Sequence, residues 1–358
     1  MSTKRVRLKD IASRVGISVG AVSLALRNHH SISPKRRKQV QQVAEKMGYR
    51  PDPFLSGLAA YRQNQRPQQF RSTIAWFDHW QEPVQLRKAF RLFEGIWRGA
   101  SQAAIRLGYH LEDIRWPETG AAKKVEGILH AQGIHGILIP PHRGTIDWGN
   151  FKWHKFALVR IGGTMETPRS NLITSDWFGG AKMAVSRIHQ YGYRRIGLVA
   201  GRAFEERFGG NNYAGFCWAQ HKLGLDPALP VLLTDFVHTD PEIMNQQKSA
   251  LQQWLLEQKP DAILTTDAEI PVLIQKLGYR IPEDIAVAGT NILDIPVDAG
   301  INQVPELIGK TALETLVKQI NLNERGEPPD PIKILVRPRW QDGRSLPPLH
   351  TVPQLEAD

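Results

Sequence analysis

The sequence contains one cysteine, Cys217, so it cannot form an internal disulfide, and its stability has to come from burial of apolar surface. Cys217 is expected to act as a small buried apolar residue. No Cys/His spacing resembles a zinc site, and neither a metal nor a cofactor is expected. Long apolar runs are also missing. Stretches such as residues 137–141 fall far short of the roughly 20 residues that cross a bilayer, and the basic start lacks the apolar block of a signal peptide. No membrane partner is expected, and the expected location is cytoplasmic. The chain has no phosphate-loop Gly-Lys-Ser/Thr and no Gly-x-Ser-x-Gly elbow, which leaves enzyme chemistry with little support.

Acidic residues are scarce in one region only. Residues 1–66 hold 14 of the 46 Lys/Arg but 3 of the 35 Asp/Glu, which leaves 32 of each for the remainder. The entire net charge of +11 therefore sits in this head, on a neutral body. A cationic head suits a polyanion, because Lys and Arg that neutralise phosphates release condensed counterions.

A disordered basic tail would lack periodicity, and this segment has it. Leu8, Ile11, Ala12 and Val15 recur at helical spacing, and Gly16 ends the pattern. Ser18 is a good cap for a second helix with Val22, Ala25 and Leu26 inward. Ser33 and Pro34 open a third, with Val40, Val43, Ala44 and Met47 inward. Two short helices joined by a three-residue turn, with a third behind, match a helix-turn-helix. The second helix then shows Val19, Gly20, Ser23, Leu24 and Arg27 outward, and small residues at its start let base edges come close.

Residues 50–70, "RPDPFLSGLAAYRQNQRPQQF", read as a linker with one conditional helical turn, which Gly57 weakens. From residue 72 the pattern alternates between strands and helices. Strands are expected at 73–77, 110–114, 136–140, 157–162, 195–200, 262–265 and 284–288. Helices are expected near 89–107, 179–191, 213–223, 242–258 and 308–320. Such alternation implies parallel sheets covered by helices, and the length of the body implies two lobes with a cleft. "GRAFEERFGG" reads as a Gly-rich loop, and the end "SLPPLHTVPQLEAD" as a loose tail.

The first 60 residues resemble the DNA-binding head of the lactose/purine repressor family of bacterial transcription regulators. The words that carry the likeness are "RLKDIASRVGISVGAVSLALRN", "ISPKRRKQVQQVAEKMGYRP" and "DPFLSGLAAYR". The body is similar to the family's effector-binding core in "LFEGIWRGASQAAIRLGY", "HGILIPP", "LITSDWFGGAKMAVSRIHQYGYRRIGLVAGR", "DAILTTDAEIPVLIQKLGYRIPEDIAVAGT" and "GINQVPELIGKTALETL". The resemblance implies an all-α helix-turn-helix head with a hinge helix, followed by a two-lobed α/β core like a periplasmic binding protein of type I. The expected divisions are 1–50 for the head, 51–71 for hinge and linker, 72–345 for the core and 346–358 for the tail. The first lobe takes about 72–192 plus 302–326, and the second about 193–301 plus 327–345.

The resemblance implies that Val19 and Gly20 are the main base readers, with Leu24 beside them. At all three positions this chain departs from the family's usual residues and lacks the side chains for bidentate base contacts. Apolar contact with thymine methyls is expected instead, while Ser18, Ser23, Arg27 and Asn28 hold phosphates. The hinge is expected to fold on DNA and pair with its twin, levering Leu58, followed by Ala59, into the minor groove, where pyrimidine-purine steps yield most readily. For the effector the implied positions are Asp78, His79, Trp80, Asp176, Trp177, Asn212, Thr266, Asp267 and Asn291, at strand ends. Asn212 stands where the family often has Arg, and Asn291 where it has Asp, so a neutral ligand is favoured. Trp80 and Trp177 are candidates for stacking on a sugar face. His142 and Arg143 also follow a strand but read as surface loop.

The expected function is a homodimeric, sequence-specific regulator of a palindromic operator, a repressor switched by a sugar-like effector. A nucleoid location follows from that. Without a C-terminal heptad stretch, a dimer is the default. An architectural, non-specific DNA binder is the alternative. A sugar-active enzyme, with Asp176 and Asp267 as acid/base groups, is the weaker one.

Overall fold

The structure is a computed structural model that describes residues 6–26, 31–49, 72–79, 87–117, 122–142, 146–225, 228–235 and 241–350. The expectations for Arg27, Asn28, Leu58, Ala59, Trp80 and Arg143, and for the hinge at 51–71, lie outside these residues.

The head folds as the periodicity predicts, into α1 (Leu8–Val15), α2 (Val19–Leu26) and α3 (Pro34–Lys46). The Asp10 carboxylate accepts the Arg7 N–H at 2.8 Å at the start of α1. Gly16 ends the helix at φ +72°, a left-handed conformation that side chains with a Cβ resist. Ile11, Ala12, Val15, Val22, Ala25, Val40 and Ala44 form one buried cluster, with Leu8, Leu26, Val43 and Met47 packed at its edge.

The body opens with β1 (Ser72–Asp78), α4 (Arg91–Leu107), β2 (Tyr109–Arg115), α5 (Ala122–Ala131), β3 (Gly136–Ile139), β4 (Ala157–Ile161) and β5 (Asn171–Ser175). It continues with α6 (Trp177–Gln190), β6 (Ile196–Gly201), α7 (Arg202–Arg207), α8 (Asn211–Leu223), β7 (Leu232–Thr234), α9 (Pro241–Gln258), β8 (Ala262–Thr265), α10 (Glu269–Lys276), β9 (Ala286–Gly289) and β10 (Gly300–Asn302). Last come α11 (Pro305–Leu322), β11 (Lys333–Val336) and β12 (Arg339–Gln341). Two six-stranded sheets result, ordered β11-β5-β4-β3-β1-β2 and β12-β10-β9-β8-β6-β7. Every pairing is parallel except that of β10 with β12. The central strands β3, β8 and β9 are buried throughout, as strands covered on both faces must be.

All seven expected strands form, with ends moved by two residues at most. Strands β5, β7, β10, β11 and β12 were not expected. They are short, and most carry polar or half-exposed residues, so they lack the apolar run that marks a central strand. "GRAFEERFGG" is not simply a loop, because residues 202–207 form α7.

Three findings correct the expected division of the body. Helix α6 packs against α8 and the second sheet, and Ala184, Val185, Ile188 and Tyr191 belong to the second lobe's core, so the chain crosses at Ser175–Asp176 rather than near 192. Strand β11 pairs with β5 in the first sheet, so 333–336 belong to the first lobe and the last crossing comes at Arg337–Pro338. Residues 346–350 are docked, not loose: Leu346 is buried, the Tyr193 hydroxyl donates to the Pro347 carbonyl at 2.7 Å, and the Leu349 N–H donates to the Tyr191 carbonyl at 2.8 Å.

In the first lobe α4 and α11 lie side by side. A Cβ at Gly309 would fall 1.9 Å from the Ile96 carbonyl oxygen, so only glycine allows this approach. The first lobe also absorbs much of the tryptophan. Trp116 and Trp148 are buried with Phe77 and Phe151, Trp153 packs on that cluster, and Trp76 meets Trp97 edge-on with centroids 5.1 Å apart. No helix among the described residues is long and apolar enough to cross a membrane.

Candidate nucleic-acid interface and interlobe site

In the head, the Ser18 hydroxyl accepts the Ala21 N–H at 3.1 Å and caps α2. Ser18 is therefore engaged in helix capping. Val19 is 43% exposed, and a Cβ placed on Gly20 would meet only the Ser18 hydroxyl, at 3.9 Å. Ser23 and Leu24 are half-buried at the side of this face. The N-terminal end of α2 thus offers a smooth surface of small side chains, backed by Val22 and Ala25, which are completely buried.

In the body, parallel strands place their carboxyl ends where the covering helices begin. The start of α4 in the first lobe touches Asp294, which follows β9 in the second lobe, so the carboxyl edges of the two sheets face each other across a cleft. The crossings between lobes are tied together behind it. The Asp176 N–H donates to the Val336 carbonyl at 3.0 Å, Ser175 bonds to Gln303, and Gln303 donates to the Thr290 carbonyl.

Asp78 ends β1 and is 3% exposed. It stands 3.9 Å from Arg87, whose guanidinium grips Asp113 in a two-pronged contact at 3.0 and 2.8 Å and lies 4.2 Å above the Trp97 ring. Asp78, Arg87, Trp76, Phe93, Ile96 and the prolines after β3 enclose a cavity of about 10 Å³, room for about one water. His79 lies near His142, with ring centroids 6.0 Å apart, and its Nδ1 is buried with no partner among the described residues. His142 is not surface loop: it is 2% exposed. Burial pushes its pKa down to about 4, helped by nearby His79 and opposed by a hydrogen bond with the Pro140 backbone, so the ring is neutral at pH 7.

The remaining candidates are largely committed to the protein itself. One Asp176 oxygen accepts the Gly179 N–H at 2.8 Å and caps α6. That residue also borders a separate groove of about 410 Å³ with Lys182, Ser186 and Arg337. Trp177 is buried against Phe204 and Phe208, with centroids 5.5 and 5.0 Å away, so it presents no open face for stacking. Its indole N–H has no acceptor among the described residues. Asn212 is buried and donates to Glu205 at 2.9 Å, while the Tyr213 N–H donates to the other Glu205 oxygen at 3.1 Å. Thr266 accepts the Gly201 N–H at 3.0 Å, and Asp267 accepts the Glu269 N–H at 3.0 Å. Asn291 donates to Asp294 at 2.9 Å.

Sequence reasoning missed Arg87, Asp113, Glu205 and Asp294. Glu205 is legible once 202–207 is given helical spacing. The other three have no local signal, because their partners are far along the chain. The single thiol, Cys217, is half-buried rather than fully buried, and burial raises its pKa. Among the described residues there is no group of three or more His, Cys, Asp or Glu able to hold a metal.

Comparison with known proteins agrees with this architecture. Residues 7–52 match the bacterial regulatory proteins of the lacI family, and residues 185–346 match the periplasmic binding protein-like domain. The HTH-type transcriptional regulator CelR of Thermobifida fusca is 24% identical over 355 residues, covering 93% of this chain and 96% of that protein. The structure of a CelR–cellobiose complex superimposes with a TM-score of 0.57 at 21% identity, covering 95% of this chain and all of that one. A lac repressor dimer bound to operator and the anti-inducer ONPF gives 0.52 at 18% identity, covering 96% and 99%. The matching head, the two parallel-sheet lobes behind it and relatives that are transcription regulators rather than enzymes identify this chain as a transcription regulator of the lacI family.

Proposed function

We propose that the chain is a repressor that binds a palindromic operator as a homodimer and is released or engaged by a neutral, sugar-like effector in the interlobe cleft. The observation that carries the DNA half is the start of α2, where Ser18 caps the helix while Val19 and Gly20 stand exposed and a Cβ on Gly20 would touch only the Ser18 hydroxyl among the described residues. Such a face docks closely in the major groove and reads thymine methyls, leaving further specificity to DNA shape and to Leu58 in the hinge. The effector half is supported by the facing strand ends. The charged groups beside β1, Arg87 with Asp78 and Asp113, pair with one another, which leaves little there to grip an anionic ligand. Among similar structures, one holds cellobiose and another an anti-inducer.

The test is selection of bound duplexes from a random library, with the full-length protein and its Leu58→Ala variant at equal, moderate salt. An enriched palindrome with a central pyrimidine-purine step, blurred in the variant, is expected. Addition of neutral mono- and disaccharides should then change its affinity, where sugar acids and sugar phosphates do not. A protein that enriches nothing, losing affinity with salt alike on all sequences, would be the architectural binder instead.

A further inference from the structure

The start of α4 is capped from the opposite lobe. Phe90, the residue before the helix, offers no side-chain cap, so the first N–H groups of α4 lack a local acceptor. Asp294, 203 residues further along and after β9, fills that role. One of its oxygens accepts the Arg91 N–H at 2.7 Å and the other accepts the Leu92 N–H at 3.3 Å. Asn291 donates to the second oxygen at 2.9 Å and itself accepts the Leu293 N–H at 3.3 Å, so the carboxylate is aimed by its own loop. A carboxylate at a helix N-terminus meets both unpaired donors and the positive end of the helix dipole.

We propose that Asp294 is an interlobe latch, a helix cap supplied in trans that must be broken whenever the cleft opens. Most caps join neighbours in sequence and stabilise one helix whatever the rest of the molecule does. This one spans the cleft mouth, so its free energy counts only in the closed arrangement and sets the ratio of closed to open lobes. The crossings behind it keep the lobes in register through Gln303, and the latch controls how far they part. Through the latch, Asn291 gains a part in closure. A ligand that bonds to Asn291 would compete for its amide and loosen the carboxylate.

The latch is tested by interlobe distance in the full-length chain, independently of any operator or effector. Spin labels go on cysteines placed at the exposed Lys123 of α5 and Gln252 of α9, in a Cys217→Ser background, diluted into excess unlabelled cysteine-free chain. Pulsed electron resonance then reads the distance distribution. Asp294→Ala is expected to raise the open-to-closed ratio about tenfold, the effect of losing one capping carboxylate. Arg91→Pro provides a second variant that spares the helix. Proline is favoured at the first helical position, and Phe90, at φ −119° and ψ 108°, already has the extended backbone that a following proline demands. It deletes the shorter of the two bonds and should shift the distribution the same way by a smaller amount. Unchanged distributions in both variants overturn the latch. A shift in Asp294→Ala with none in folded Arg91→Pro overturns it as a helix cap. Should Asp294→Ala fail to fold, Arg91→Pro decides alone.

Discussion

The head and the cleft use their polar groups in opposite ways. At the start of α2 the one polar side chain, Ser18, is turned to capping, and what remains outward is small and unobstructed. Around the cleft the polar side chains are numerous and almost all bonded inward: Asn212 to Glu205, Thr266 to Gly201, Asn291 to Asp294, Arg87 to Asp113. A surface that reads a rigid duplex gains from being finished in advance. A cleft that closes by lobe movement holds its polar groups in internal bonds that a ligand must exchange, so occupancy and closure are coupled.

The largest expected break in this comparison is Arg87→Ala. It removes the cation that stands between Asp78 and Asp113 and breaks the two-pronged contact with Asp113, for a loss of about 3 kcal/mol in the stability of the body. Chemical denaturation followed by tryptophan fluorescence should show it, while the head, whose core lies elsewhere, keeps its helical signal. An unchanged midpoint would mean that water already screens the pair.

Next in size is a pH effect carried by His142. Its folded pKa, about 4, lies below the ordinary value of 6.5, so the unfolded chain binds a proton that the folded chain refuses. Stability is fully present above pH 6.5 and is lost as pH falls toward 4, by about 2 kcal/mol at pH 5. Melting curves at pH 7 and pH 5 should differ in this sense for the natural chain and converge for His142→Gln. Equal slopes in the two proteins would assign the pH dependence to other groups.

The smallest effect concerns the head alone. Ser18→Ala removes the cap of α2 and should cost about 1 kcal/mol of head stability, seen as earlier loss of helical signal with the body transition unmoved. A joint shift of both transitions would show that head and body unfold as one unit.

Much of the fold is legible along the chain because its signals are local. The three head helices follow from spacing plus Gly16, Ser18, Ser33 and Pro34, and the central strands from apolar runs that only a doubly covered sheet explains. The short strands β5, β10 and β12 escape because an edge or crossing strand needs no such run. The tail escapes for a related reason. "SLPPLH" has no periodicity, yet Leu346 fits a site in the second lobe and Tyr193 and Tyr191 hold the backbone that follows it, at Pro347 and Leu349. Among the site residues, the exposed face of α2 could be read directly, since what a helix shows outward is fixed by what it must bury. The cleft positions could be named but not their state. Trp177 is pinned by Phe204 and Phe208, and Asn212 by Glu205, by contacts that form only when α7 stands at the end of β6.

The sequence by itself determined the basic head, its three helices, the parallel α/β body and the family, because periodicity, capping and charge act over a few residues. Only the tertiary structure decided where the chain crosses between lobes, which polar groups are already bonded, and that Asp294 caps a helix 203 residues away. Those are facts of pairing between distant segments, and hydrogen-bond and ion-pair partners at such separations leave no trace in local spacing.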